Sequence, residues 1–217
     1  MNAASITTIM RRIERQAQEF DDSLATEDTT NGDPFRVLVS CLLSQRTKEE
    51  TTTIAARRLF AVAATIDHLS ELSEDHIATL IYPVGFWKTK ARRIAALTAT
   101  LRDRHGGTVP STMEELLSLP GVGRKTANLV LSVAFNTPAI CVDTHVHRIM
   151  NRLGFISTGS PEQSEYALRE TLPVPLWKSV NYLLVLFGRN VCTPVSPKCS
   201  QCSVDDLCGK VAVGRHR

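Results

Sequence analysis

The sequence has no long apolar run. No stretch approaches the roughly 18 consecutive apolar residues that a membrane-spanning helix needs, and the N-terminal segment lacks the apolar core of a secretory signal. Four acidic residues near the N-terminus also argue against an organelle transit peptide: Glu14, Glu19, Asp21 and Asp22. We therefore expect an intracellular protein that makes no contact with a membrane.

The chain also lacks the alternating apolar and polar stretches of β-strands, and it has no internal repeat. Helical periodicity and capping patterns recur instead, so the sequence predicts an all-α protein. Asp33-Pro34 is expected to cap a helix, and Ser111 with Glu114 and Ser160 with Gln163 are read as capping boxes. Helices are predicted over about 6–20, 34–43, 48–61, 74–82, 87–105, 111–118, 127–135, 146–150, 161–171 and 176–187, the last ending at Gly188.

The net charge of +3 is too small to indicate a nucleic-acid partner by itself. Its distribution is more informative, because the predicted helix at 87–105 carries six basic residues against one acid, Asp103. Such a strip fits DNA binding, and it is equally common as a solvated helix face. The basic residues of this strip are Lys88, Lys90, Arg92, Arg93, Arg102 and Arg104.

The segment Leu119–Asn128 predicts a tight turn between two helices. Gly121 and Gly123 flank one apolar residue, and glycine permits both positive φ and the close approach of a phosphate. The helix that follows begins with backbone N–H groups that can hold an anion. This pattern resembles a helix-hairpin-helix, a sequence-independent anchor for phosphodiesters, which indicates DNA binding and no particular reaction.

Lys125 in this segment and Asp143 in the segment Val142–His145 are candidates for catalysis. A neutral lysine amine can attack the C1′ carbon of a nucleotide sugar and form a covalent imine. A carboxylate such as Asp143 can stabilise the cationic sugar as the base departs. The alternatives are a surface lysine and an aspartate that only caps the next helix.

Four of the six cysteines lie at Cys192, Cys199, Cys202 and Cys208. Four thiolates in so short a loop can enclose one metal centre, which favours a metal site over disulfides. Structural zinc usually uses two close cysteine pairs, and this loop has one. Ligand chemistry alone therefore leaves both an iron–sulfur cluster and zinc open. The remaining Cys41 and Cys141 are expected to be buried apolar residues.

The hairpin with its lysine, the Val-Asp-Thr-His segment and the C-x6-C-x2-C-x5-C loop resemble the endonuclease III family in the same order, over about residues 6–208. The resemblance implies a bifunctional DNA glycosylase and abasic-site lyase in two helical subdomains with a DNA-binding cleft between them. Residues 26–135 would form a six-helix bundle with the hairpin at 111–134. Residues 1–25 and 136–217 would form the second subdomain, with a [4Fe–4S] cluster in the loop 192–208.

The resemblance also implies roles for particular residues. Lys125 would be the nucleophile and Asp143 its essential partner, with the four cysteines ligating the cluster. DNA contacts are expected from Gln45, Phe86, Lys90, Gly121, Gly123, Arg124 and His145. Among these, Gln45 would fill the space of the extruded base and Phe86 would wedge into the duplex, unless Phe86 is merely core.

The resemblance implies that the substrates are oxidised pyrimidines in DNA. After the base is removed, the strand would be cut 3′ to the abasic site by β-elimination. The expected partner is double-stranded DNA with damaged or abasic sites, bound by a monomer in the cytoplasm or nucleoid of a prokaryote. One alternative is a glycosylase for thymine or uracil opposite guanine. Alternatives from other classes are a non-catalytic DNA-binding redox sensor and a zinc-stabilised interaction scaffold. Adenine-mismatch glycosylases have a catalytic glutamate where this chain has Cys41, which argues against that branch.

Overall fold

The structure is a computed structural model that describes residues 3–20 and 30–217. Within these ranges the regular secondary structure is helical and no strand occurs, which confirms the all-α prediction. The helices are α1 (Ala3–Ala17), α2 (Pro34–Ser44), α3 (Glu49–Val62), α4 (Ile66–Ser70), α5 (Glu74–Ile81), α6 (Trp87–His105), α7 (Met113–Ser118), α8 (Arg124–Val133), α9 (Thr144–Leu153), α10 (Pro161–Thr171) and α11 (Trp177–Asn190).

The chain divides into two compact units. The central unit comprises Ser23–Thr137, and the terminal unit combines Met1–Asp22 with Pro138–Arg217. The boundary expected between residues 25 and 26 lies outside the described residues. No helix of the described residues is both long enough and apolar enough to cross a membrane.

The central unit is built from α2 to α8. Helix α2 begins where the sequence predicts, because the side chain of Asp33 accepts the backbone N–H of Arg36 at 2.8 Å and Pro34 occupies the first turn. Its apolar face is fully buried, with Leu38 and Leu42 at 0–1% exposure. The short helix α4 was not predicted from the sequence; Thr65 caps it.

Two predicted helix starts in the central unit are wrong by one to three residues. Helix α7 is capped by Thr112, whose hydroxyl accepts the N–H of Glu115 at 3.3 Å, and the capping box is therefore not the predicted pair Ser111 and Glu114. Helix α8 begins at Arg124, three residues before the predicted start, because Gly123 already serves as the extended cap residue.

The terminal unit packs α1 and α9 against α11. The buried face of α1 is the predicted one: Ile6, Ile9, Met10 and Ile13 are 0–1% exposed. Ser160 caps α10 as predicted, and its hydroxyl accepts the N–H of Gln163 at 3.2 Å. Helix α11 continues through Gly188 to Asn190. The predicted end at Gly188 is therefore wrong; this glycine instead makes room for the side chains of His145 and Arg148.

Candidate DNA-binding and catalytic site

The hairpin between α7 and α8 combines one strained position with one open position. Gly121 has φ +79°, which favours glycine, and a side chain there would meet Arg93 and Leu42 at 3.4 Å. Gly123 has ordinary extended backbone, and no atom lies within 4 Å of the place a side chain would take. The buried Val122 fixes the turn. The hairpin therefore leaves open space directly before the N-terminus of α8, where an anion is favoured.

Lys125 is an exposed residue in the first turn of α8, next to the half-buried Arg124. The charge of Lys125 acts on Cys41, which is buried on α2. Burial raises the pKa of the Cys41 thiol to about 12, against the opposing effect of Lys125. Cys41 is therefore a neutral thiol beside the candidate nucleophile, consistent with the buried role predicted for it.

Two loops of the central unit carry the predicted filler and wedge residues. Gln45 follows the end of α2, and its side-chain amide donates to the carbonyl of Gly121 at 3.5 Å. Phe86 precedes α6 and is 63% exposed, so it is not a core residue. Its backbone is left-handed at φ 58°, and the guanidinium of Arg46 lies 5.7 Å from the centre of its ring. An exposed aromatic ring held in a strained conformation is typical of a functional residue.

Lys90 does not have the position predicted for a DNA contact. It is 4% exposed, and its Nζ donates to the carbonyls of Leu43 and Gln45, each at 2.6 Å, and to Oγ1 of Thr47 at 2.9 Å. An amine held by three internal acceptors cannot reach a phosphate, so the predicted DNA contact of Lys90 is corrected to an internal one. Position 90 falls on the buried stripe of α6 with Ile94, a periodicity that could have indicated this burial.

Asp143 caps α9. Its Oδ1 accepts the N–H of His145 at 2.8 Å and that of Val146 at 3.0 Å, and its side chain is half-buried. Asp143 therefore has the capping role that the sequence analysis gave as the alternative to catalysis. Capping and catalysis are compatible roles, because one carboxylate can accept backbone N–H groups and also interact with positive charge on a sugar.

His145 packs inside the terminal unit. Its Nδ1 lies 3.1 Å from the guanidinium of Arg148, which also donates to the carbonyls of Gly188 at 3.2 Å and Cys192 at 2.9 Å. The DNA contact of His145 stays a prediction. Sequence reasoning missed Arg148, which connects the helix capped by Asp143 to the start of the cysteine loop.

The four predicted cysteines line one cavity of the terminal unit. N–H donors reach two of the sulfurs: a guanidinium nitrogen of Arg152 lies 3.4 Å from Cys192 Sγ, and the backbone nitrogen of Lys210 lies 3.4 Å from Cys208 Sγ. Burial raises the pKa of the Cys202 thiol to about 11. N–H donors to sulfur and an apolar surround are the environment in which thiolates hold an iron–sulfur cluster.

The described residues contain no compact group of metal ligands. Among the residues that the structure describes, no three His, Cys, Asp or Glu side chains form a group that could hold one metal ion. The sulfurs of a tetrahedral zinc site lie close together, because each Zn–S bond is only about 2.3 Å. The four cysteines nevertheless line one cavity, where they can together ligate a metal centre when one is present.

Comparison with known proteins shows which proteins share this fold. Residues 39–174 match the HhH-GPD superfamily of base excision DNA repair proteins. The chain is 48% identical to endonuclease III of Thermotoga maritima over 176 residues, which cover 81% of this chain and 83% of that protein. It is 34% identical to endonuclease III of Escherichia coli K12 over 208 residues, 96% of each chain. A solved endonuclease III, trapped as a covalent intermediate with DNA, matches with a TM-score of 0.83 at 32% identity over 97% of both chains.

The chain is a base excision DNA repair enzyme of the HhH-GPD superfamily, because the family model matches more than half of it and the described fold is all-helical with this hairpin. Within it the chain belongs to the endonuclease III family of DNA glycosylases and abasic-site lyases. The family and the enzyme class predicted from the sequence are thereby confirmed.

Proposed function

We propose that the protein removes oxidised pyrimidines from duplex DNA and cuts the strand 3′ to the resulting abasic site. The observation that carries this proposal is the place of Lys125. It is exposed in the first turn of α8, directly after the open hairpin at Gly121 and Gly123. A phosphate held at this hairpin and by Arg124 brings the sugar of a bound nucleotide within reach of the Lys125 amine.

The reaction follows from the chemistry of these groups. The lone pair of the Lys125 amine forms a bond to C1′, and the glycosidic bond breaks with its electron pair leaving on the base, which takes up a proton. The nitrogen then loses a proton and its lone pair forms the C=N bond, while the C1′–O4′ bond breaks with its electron pair leaving on O4′, which takes up a proton; the product is the ring-opened imine. Removal of a C2′ proton then expels the 3′ phosphate by β-elimination. We assign to the Asp143 carboxylate the stabilisation of positive charge on the sugar as the base departs.

Extrusion of the damaged base requires contacts on the rest of the duplex. We assign Gln45 to the space that the base vacates and Phe86 to the gap between neighbouring base pairs. The exposed ring of Phe86 and the contact of the half-buried Gln45 with the carbonyl of Gly121 support these assignments, and both residues lie on the same unit as the hairpin. Refilling the stack offsets an extrusion cost of a few kcal/mol. His145 is proposed as a further DNA contact from the start of α9.

We also propose that Cys192, Cys199, Cys202 and Cys208 hold a [4Fe–4S] cluster. The shared cavity and the N–H donors to sulfur support it. When bound, the cluster supplies a covalent cross-link for a loop with little helix of its own and takes no part in removing the base. The protein acts on DNA as a monomer, and its substrate places it inside the cell.

Borohydride trapping tests the proposal. Reduction of the imine should link the protein covalently to an abasic duplex, and Lys125→Ala should abolish both this adduct and strand scission. Duplex binding should persist, because one charge is lost among many phosphate contacts. Lys48→Ala is the matched control, since Lys48 is an exposed lysine of the same unit, and it should trap normally.

The rival functions give different results in the same assay. A redox sensor would give no adduct with the native protein. An adduct with Lys125→Ala at the normal rate would assign the nucleophile to another amine. A panel of duplexes with oxidised pyrimidines, or with thymine or uracil opposite guanine, distinguishes the two glycosylase specificities.

A further inference from the structure

Lys90 is a buried cation that the proposed reaction does not use. Burial lowers its pKa to about 8, and all three acceptors of its amine are uncharged. Burying a charged or polar group costs free energy that an apolar side chain of similar length, such as methionine, avoids. Packing in the core of α6 therefore does not account for a lysine at this position. The three hydrogen bonds are what a methionine could not make.

All three acceptors belong to the segment that carries Gln45. The carbonyls of Leu43 and Gln45 lie at the C-terminal end of α2, where helix geometry leaves carbonyls without partners inside the helix. The third acceptor, Oγ1 of Thr47, also accepts the backbone N–H of Gly85 at 3.0 Å. One hydroxyl thus joins Lys90, the Gln45 loop and the loop before α6.

The two loops touch directly as well. A side chain at Gly85 would come within 2.5 Å of the carbonyl oxygen of Arg46, so only glycine permits this approach. On either side of the contact, Arg46 and Phe86 both have left-handed backbone, at φ 52° and 58°. Such strained residues persist only where surrounding contacts determine them. The guanidinium of Arg46 over the Phe86 ring completes the junction.

We infer that Lys90 is a positioning residue for base extrusion, which fixes the Gln45 loop and the Phe86 loop as one rigid pair. Gln45 and Phe86 would then insert into the duplex together, because the distance between their loops is fixed before DNA is bound. The inference rests on the proposed function. Preorganisation of this kind matters most when a paired, stacked base must be displaced, because the inserted groups must match the gap they create.

The test compares two substrates that carry the same damaged pyrimidine. In one duplex the lesion lies opposite a normal purine, and in the other it lies opposite a tetrahydrofuran spacer. The second duplex therefore has no opposite base that Gln45 could contact once the lesion is extruded. Lys90→Met should slow single-turnover excision from the paired duplex by roughly 10- to 100-fold, the scale on which a displacement of about 1 Å acts. On the spacer duplex the loss should stay within about threefold. Lys48→Met is the control, because Lys48 is an exposed lysine near Gln45 that makes none of the Lys90 hydrogen bonds. The ratio of its excision rates on the two duplexes should equal that of the native protein.

Thr47→Val provides a second variant that alters the junction gently. It keeps the shape of the side chain and removes the hydroxyl shared by Lys90 and Gly85, so it should shift the ratio in the same direction by a smaller factor. Because both substrates are measured on one preparation, a partly unfolded variant loses activity equally on both. An equal loss on both duplexes, or no loss on either, would overturn the inference. Failure of the proposed function is recognised separately, since the native protein would then excise from neither.

Discussion

Asp143 and Val146 are joined by a hydrogen bond of 3.0 Å from the backbone N–H of Val146 to the carboxylate that caps α9. The same carboxylate is the proposed catalytic group, so two roles meet in one side chain. Asparagine caps a helix about as well as aspartate but carries no charge, which makes the roles separable.

Asp143→Asn should leave the free energy of unfolding within about 0.5 kcal/mol of the native value and reduce base excision by orders of magnitude. Asp143→Ala should lose the cap as well, at a cost of about 1 kcal/mol. Denaturant unfolding and single-turnover excision measure the two effects. Cleavage of a preformed abasic site should suffer less, because the base has already left. If Asp143→Asn excised at the native rate, Asp143 would be a cap alone.

The two hairpin glycines should respond differently to alanine. Gly121→Ala should destabilise the protein by about 1–2 kcal/mol, because its φ of +79° is unfavourable for any residue with a side chain. Gly123→Ala should leave stability unchanged or slightly raised, since its backbone is extended and its surroundings are open. It should nevertheless weaken DNA binding about tenfold, because the added methyl group would hold a phosphate away from the backbone N–H groups and cost about one charge-assisted hydrogen bond. Unchanged Kd for Gly123→Ala would place the phosphate elsewhere.

The salt dependence of DNA binding should identify which cations of α6 contact phosphate. Arg93 is exposed, and its Cδ lies 3.4 Å from the place that a Cβ at Gly121 would take. Arg93→Ala should therefore reduce the slope of log affinity against log salt by about 0.9, one phosphate contact. Arg102, at the far end of the helix, pairs with Asp103 at 3.1 Å, and Arg102→Ala should leave the slope unchanged. A reduced slope for Arg102→Ala with an unchanged slope for Arg93→Ala would indicate that DNA contacts the C-terminal half of α6 instead.

Phe86 offers a case in which stability and activity should move in opposite directions. Phe86→Gly removes a left-handed aromatic residue and should stabilise the protein by up to about 1 kcal/mol. It also removes the proposed wedge, so excision from a paired duplex should slow at least about tenfold. Phe86→Leu keeps an apolar wedge and should remain within a few-fold of the native rate. Full activity of Phe86→Gly would show that no wedge is needed here.

The cysteine loop should contain iron. Protein purified without air should be brown and carry about four iron atoms per chain. Cys199→Ser should lower both iron content and soluble yield, whereas Cys141→Ser, outside the cavity, should keep the iron. Loss of the cluster should also speed amide exchange in α1, because Gln16 donates to the carbonyl of Gln201 at 2.6 Å and accepts the N–H of Ser203 at 3.0 Å. Zinc without iron would refute the cluster.

Sequence reasoning succeeded where the deciding forces are local. The caps at Asp33 and Ser160 and the buried face of α1 follow from neighbouring residues, and the structure has all three. It failed for Lys90: the periodicity of α6 could have indicated its burial, but its acceptors lie 43 to 47 residues away in the chain, where no local pattern shows them. It failed at Gly188 for the same reason, since this glycine accommodates the side chain of His145 on another helix and does not mark the end of its own.

Helix α1 is bound by residues made at the other end of the chain. Ser203 donates its hydroxyl to the carbonyl of Arg12 across 191 residues, and Arg12 pairs with Asp206 at 2.7 Å. At a synthesis rate of about 5–20 residues per second, α1 leaves the ribosome roughly 10–40 s before these partners exist. The central unit, by contrast, is continuous in the chain and can close while the cysteine loop is still being made. During biosynthesis the hairpin and Lys125 are therefore synthesised, with the rest of their unit, before the unit that holds Asp143 is complete.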